Sequence, residues 1–127
     1  MTRIRVVAAV VERDGRFLLG RRPHNKRHGG LWEFPGGKLD EHEGPERAAR
    51  RELAEEMELE VTSVGNVLLS VADPDSPFVI EFFEVQVRGE PRALEHSEVA
   101  WHAAHDLLGM PLAPADAAFV RWLVERR

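Results

Sequence analysis

Three glutamates, Glu52, Glu55 and Glu56, stand at i, i+3 and i+4 in a stretch with clear helical periodicity. At about 100° per residue they fall within one arc of roughly 100° of helix surface. Like charges at these spacings repel, which destabilises a helix by several tenths of a kcal/mol per pair. They border the apolar stripe of the same helix instead of lying opposite it, and neither Arg50 nor Arg51 separates them. A helix that needed only solubility would spread them out or match each with lysine. The plainer account is that they solvate one helix face, as in other glutamate-rich helices. The charge asks for compensation, however, and a divalent cation supplies it directly. Clustered carboxylate oxygens suit hard Mg²⁺ or Mn²⁺. Such an ion bridges phosphate oxygens and activates water. Just upstream, Pro35-Gly36-Gly37 can expose a backbone carbonyl toward the same ion, because glycine permits close approach.

The helix that carries these groups is predicted over Pro45–Met57. Pro45 fits its first position and Gly44 is an acceptable cap, while Ala48, Ala49, Leu53 and Met57 form the apolar stripe. Before it, residues 4–11 are rich in β-branched types and read as a buried strand. Asp14-Gly15 signals a hairpin whose return strand is 16–20. Residues 21–30 read as a basic loop, and 31–34 as a short apolar stretch that stops at Pro35-Gly36-Gly37. After the helix, strands are expected at 61–71 and 78–87, separated by the turn-rich 73–77. A short strand at 98–102, a short helix at 103–108 and a last helix at 115–125 complete the chain. No repeat, linker or low-complexity tract interrupts it, so a single domain over 1–127 of α/β or α+β type is expected.

Composition closes off other chemistries. With 127 residues, 43% hydrophobic and 31% charged, the chain can bury a core without staples and is not a disordered type. It has no cysteine, which excludes disulfides, zinc–thiolate sites and cysteine nucleophiles. The net charge of −5 makes a nucleic-acid polymer a poor partner. The apolar run after Ile4 is cut off by Glu12-Arg13-Asp14, too early for a signal-peptide core and far too short for a bilayer. A cytoplasmic protein with no membrane partner is expected.

The stretch from Gly37 onward resembles the Nudix box: a glycine, five residues, a glutamate, seven residues, then Arg-Glu-apolar-x-Glu-Glu-x-Gly-apolar. Gly37, Glu43, Arg51, Glu52, Leu53, Glu55, Glu56 and Leu59 fall on this pattern. The box's closing glycine is replaced by Glu58. A glutamate there costs roughly 1–2 kcal/mol if the left-handed turn is kept. Resemblance extends over nearly the whole chain and is closest to the MutT-like branch. It includes Arg21-Arg22, the run from Leu31 to Lys38, Glu95-His96, Trp101 and the run from Pro111 to Asp116. The last of these is similar to enzymes acting on cytidine triphosphates.

The resemblance implies an α/β/α sandwich around a central mixed sheet. It implies that Glu52, Glu55 and Glu56 bind metal with the carbonyl of Gly36, while Glu43 and Arg51 orient. Arg22 would contact phosphate, for which a guanidinium fork is suited; otherwise it belongs to a solvated basic loop. Arg21 and Lys38 are weaker phosphate candidates. Glu95 would be a metal ligand or general base, with Glu98 and Glu52 as competitors. Asp116 would read the base, with helix capping as the plain alternative. Phe34, Phe78, Trp101 and Trp122 could stack on a base, with core packing as the default for each. His96 alone reads as a surface or hydrogen-bonding residue, and His24 and His28 receive no role.

The expected reaction is hydrolysis of a (deoxy)nucleoside triphosphate to monophosphate and pyrophosphate with Mg²⁺ or Mn²⁺, by a monomer or homodimer. Cytidine or oxidised purine nucleotides are the expected substrates. The rivals are a diphosphatase for ADP-ribose-like compounds and a non-catalytic nucleotide sensor. An intact carboxylate set argues against the sensor.

Overall fold

The apolar N-terminal run forms the strand on which both halves of the protein pack. In the computed structural model, which describes residues 2–127, strand β1 (Ile4–Val10) is buried over its second half on both faces. Two short strands follow, β2 (Glu12–Arg13) and β3 (Arg16–Arg21), joined through Asp14 and Gly15. Both turn residues have positive φ, 53° and 77°, as a tight hairpin requires. Next come β4 (Trp32–Glu33), β5 (Gly36–Lys38) and helix α1 (Pro45–Met57). Strands β6 (Glu60–Ala72), β7 (Phe78–Arg88) and β8 (Glu98–Ala103) precede α2 (Ala104–Leu107) and α3 (Pro114–Glu125).

One sheet has the order β5-β1-β7-β6, with β1 parallel to β7 and the other pairs antiparallel. This is the expected central mixed sheet. Alternate residues of β1 serve opposite layers. Val7 packs with Ala48 and Ala49 of α1, and Ala9 with Leu53 and Met57. Ala8 and Val10 turn to the other side, to Phe82 of β7 and Phe119, Val120 and Leu123 of α3. The sheet is thus closed on both faces by helices, the α/β/α sandwich that the resemblance implies. A second, antiparallel sheet joins β2, β3, β4 and β8, with β3 between β4 and β8.

Two elements differ from expectation. Gly36-Gly37, where the apolar stretch is expected to stop, belongs to β5, because pairing with β1 (Val7 opposite Gly37) overrides glycine's weak strand preference. Asp116 is not a cap: the cap of α3 is Ala113, Pro114 takes the first helical turn, and Asp116 lies inside the helix.

Helix α1 buries the expected stripe, Ala48, Ala49, Leu53 and Met57. It ends in a left-handed residue, Glu58 (φ 57°, ψ 37°), whose N–H donates to the carbonyl of Ala54, while Leu59 N–H donates to that of Leu53. The turn that normally uses glycine is therefore retained with a glutamate in it. Glu58 is exposed and, among the described residues, its carboxylate pairs with Arg92 alone, at 3.2 Å, an exposed pair worth about 0–1 kcal/mol. Glu58→Gly is accordingly expected to stabilise the protein by about 1 kcal/mol, read as a higher Tm. A lower Tm would show that the Arg92 contact outweighs the backbone strain.

Candidate active site

Burying the α1 stripe turns Glu52 and Glu56 toward β5. Glu55 stays largely exposed, whereas the Glu52 side chain is only 14% exposed. Its carboxyl lies against Gly37, where a Cβ would stand 2.5 Å from the carboxyl carbon. A larger residue at 37 would displace this carboxyl. Glu56 Oε1 accepts the N–H of Gly36 at 3.1 Å. Burial pushes the Glu56 carboxyl up to about 9, with the charges of Glu33, Glu52 and Glu95 adding to the rise. Burial also raises Glu52, against the pull of Arg51.

Arg51 does lie among the glutamates, contrary to the expectation from helical spacing. Its Nη1 donates to Glu52 at 2.6 Å and stands 3.7 Å from Glu55, while Nε and Nη2 donate to Glu43 at 2.9 and 2.8 Å. The side chain is long enough to curl back over the cluster. The hydrogen bonds from Arg51 hold Glu43 down at about 2. Part of the charge expected to need a cation is thus compensated internally. Among the described residues, no three acidic or histidine side chains converge closely enough to hold an ion. Glu52 faces Arg51 and Glu56 faces Gly36. Glu95 is exposed on the segment after β7, yet near enough for its charge to act on Glu56.

Beside this face a cavity of about 360 Å³ opens between β1, β5 and the start of α3. Of the sequence candidates it is lined by Arg22, Gly36, Lys38, Glu56, Phe78 and Asp116. Glu52, Glu55 and Glu95 are not among its lining residues. Phe34 lines it but is buried edge-on against Phe82 and Phe119, so it packs as core. Trp101 and Trp122 are elsewhere, under Arg13 and Arg126 respectively. Phe78 has Lys38 Nζ 5.1 Å from its ring centroid. Arg21 turns to the Gly30 carbonyl and away from the cavity.

Sequence reasoning missed four polar lining residues: Arg27, His28, Glu33 and Asp73. Arg27 reaches across to Asp73 at 3.2 Å, joining the basic loop to the β6–β7 turn. Glu33 accepts Arg22 Nη1 at 3.1 Å and His96 Nε2 at 2.9 Å. A signal for Glu33 was present: it is a carboxylate set between Trp32 and Phe34 in an otherwise apolar stretch. The Asp116 carboxyl is buried, lines the cavity and accepts the N–H of Phe34 at 2.9 Å. Burial first, and then the charge of Glu33, hold its carboxyl well above the usual range.

A family model described as the NUDIX domain matches residues 1–123. The chain belongs to the Nudix hydrolase family. It is 41% identical over 119 residues to a CTP pyrophosphohydrolase of Escherichia coli (strain K12), covering 91% of this chain and 87% of that protein. It is 38% identical over 86 residues to an 8-oxo-dGTP diphosphatase of Proteus vulgaris, covering 65% and 76%. Among solved structures, the E. coli ORF135 protein superposes with a TM-score of 0.83 at 37% identity, covering 99% of this chain and 92% of that one. A MutT NUDIX hydrolase from Burkholderia pseudomallei gives 0.82 at 31% identity, covering 95% and 98%.

In this Nudix hydrolase the box residues Gly37, Glu43, Arg51, Glu52 and Glu56 form one connected patch. Gly37 makes room for Glu52, and Arg51 ties Glu52 to Glu43. Glu58, two residues beyond Glu56, makes none of these contacts and pairs with Arg92 instead.

Proposed function

We propose that this Nudix hydrolase splits a nucleoside triphosphate into the monophosphate and pyrophosphate. The observation that carries this reading is the single cavity that joins Glu56, Gly36 and Arg22 to Phe78 and Asp116. It offers one end for a phosphate chain and another for a base. Water adds to phosphorus, the bond to the oxygen between the α and β phosphates breaks, and the water's proton is released to a base.

The donor set is all oxygen and suits Mg²⁺ or Mn²⁺. A carboxyl as buried as Glu56 favours its protonated form unless a cation stands beside it, which fits a site made for one. Glu52, Glu55, Glu56 and the Gly36 carbonyl would hold the ion, with Glu95 as a further ligand. When bound, the ion supplies charge neutralisation on phosphate and an acidified water. Arg22 would take phosphate oxygens, with Lys38, which also lines the cavity, as a second cation. Glu52 and Glu95 are the candidate general bases. Asp116 would accept from a base's exocyclic amine, such as that of cytosine, while Phe78, in the same lining, would offer a ring face. Cytidine and oxidised purine triphosphates, the compounds named for the relatives, are the substrates to try first.

The test is product mass from a panel of nucleotides, with Mg²⁺ present and then chelated. Monophosphate and pyrophosphate from a triphosphate, lost on chelation, are expected. Release of orthophosphate alone, or cleavage of ADP-ribose but no triphosphate, would overturn the reading. Binding without turnover would replace it with a sensor.

A further inference from the structure

His96 is a buried histidine that the chemistry above does not use. Its side chain is 4% exposed. Nε2 lies 2.9 Å from Glu33 Oε2, and Nδ1 is buried without any partner. A carboxylate only accepts, so the proton of this contact sits on Nε2. Packing alone does not account for such a residue. A leucine or methionine would fill the space without leaving a ring nitrogen unpaired.

The surroundings are shaped for the ring. It lies against Gly20 of β3, where a Cβ would stand 2.5 Å from the ring carbon Cγ and 2.8 Å from Nδ1. Any larger residue at 20 would displace the imidazole. The segment around His96 is also pinned by its backbone. Leu94 N–H donates to the Glu56 carbonyl at 3.1 Å, and Ser97 N–H to the Arg21 carbonyl at 2.9 Å. Between these two pins lie only Glu95, exposed, and His96, buried.

On the other side of the contact, Glu33 also takes Arg22, whose Nη1 is 3.1 Å from Oε1 and 3.3 Å from Oε2. One carboxylate therefore joins the end of β3, strand β4 and the segment leading into β8. With both oxygens engaged, Glu33 serves to hold Arg22.

We infer that His96 is a positioning residue that, seated against Gly20 and donating to Glu33, fixes Arg22 for the phosphates and holds Glu95 beside the carboxylate helix. The inference rests on the proposed triphosphate chemistry. It assigns the specific task to the Nε2–H donor and not to the bulk of the ring.

Two substitutions separate donor from bulk. His96→Met fills the space and donates nothing. His96→Gln places an amide N–H near the position of Nε2. Outer partners that orient metal ligands are worth about 10- to 100-fold, and a similar factor is expected for one that orients a phosphate-binding arginine. His96→Met is expected to lower kcat/KM by about that factor, with KM raised as well as kcat lowered, while Tm stays near that of the wild type. His96→Gln is expected to recover most of both parameters. Calorimetric Kd for a non-hydrolysable nucleoside triphosphate with Mg²⁺ reads Arg22 without turnover, and should weaken about tenfold in His96→Met alone. Equal behaviour of the Met and Gln variants in turnover and binding, with a competent wild type, overturns this inference and leaves the functional reading intact. A wild type that neither binds nor turns over any triphosphate overturns both.

Discussion

Glu56→Gln is expected to lower kcat by about 10²-fold or more, since even the outer partners of metal ligands are worth about 10- to 100-fold, and to leave the protein at least as stable as before. The two effects have separate causes. Glutamine keeps an oxygen to accept the Gly36 N–H and keeps the side-chain volume. It removes a carboxyl that burial and the neighbouring charges of Glu33 and Glu52 already disfavour as an anion. Folding therefore loses little, and Tm should hold or rise. On the proposed reading, catalysis loses one of the carboxylates that would hold the divalent cation in a site made only of oxygen donors. Glu52→Gln should show a comparable fall in kcat, with a further effect on Arg51, which donates to it at 2.6 Å. Chelation of Mg²⁺ should abolish pyrophosphate release from the wild type. Undiminished turnover in chelator, or in both variants, would remove this helix from the chemistry.

Asp116→Ala should reorder the substrates. Discrimination between nucleotides that differ only in the base is expected to fall by roughly 1–3 kcal/mol, mostly in kcat/KM. Because Asp116 lies inside α3, loss of a cap is not the competing explanation. Loss of the acceptor for the Phe34 N–H is, and leaving that group unpaired costs about 1–3 kcal/mol of stability. Asp116→Asn separates the two, since its carbonyl can still accept from Phe34 while its amide changes what the base meets. Comparison of kcat/KM for cytidine, guanine and oxidised guanine triphosphates, with melting temperatures alongside, decides the matter. A decline by one common factor across all substrates would make Asp116 purely structural.

The same carboxyl makes stability depend on pH. Its folded-state value is raised above the ordinary carboxylate value of about 4. The folded protein thus holds this proton more tightly than the unfolded chain does. Its contribution is complete below about pH 4 and is lost as pH rises toward the folded-state value. Asp116→Asn removes that slope, so the stability of the variant relative to wild type should grow with pH. A constant difference in Tm across the range would show that this carboxyl titrates normally.

Helix α1 and the long strands were legible because their periodicity is local and strong: Ala48, Ala49, Leu53 and Met57 can share one face only in a helix. Strand β5 was hidden because Gly36 and Gly37 carry no side chain to mark a period, and the pairing that makes them a strand comes from β1, far away in sequence. The carboxylate cluster was legible from spacing, but Arg51 was misjudged. Helical angles place the Cβ atoms, and a guanidinium several bonds farther out can return to the cluster. Glu33 and Asp73 were missed for a different reason. Each gains its importance from partners brought together only by the fold, Arg22 and His96 for one, Arg27 for the other. His96 was read as a hydrogen-bonding residue at most, because its seat against Gly20 is a contact across two elements with no local sign.

Strand β1 has Val7 and Ala9 directed to α1, and Ala8 and Val10 directed to α3. The glutamates belong to the first layer and Asp116 to the second. The two meet at the cavity, where Glu56 and Asp116 share the lining, but their side chains hang from different helices, α1 and α3. Substrate preference can therefore drift from one descendant to another while the hydrolytic apparatus is inherited unchanged. A lineage built on this plan can acquire a taste for a new base by altering one wall of the cavity, without first having to reinvent how the phosphate bond is cut.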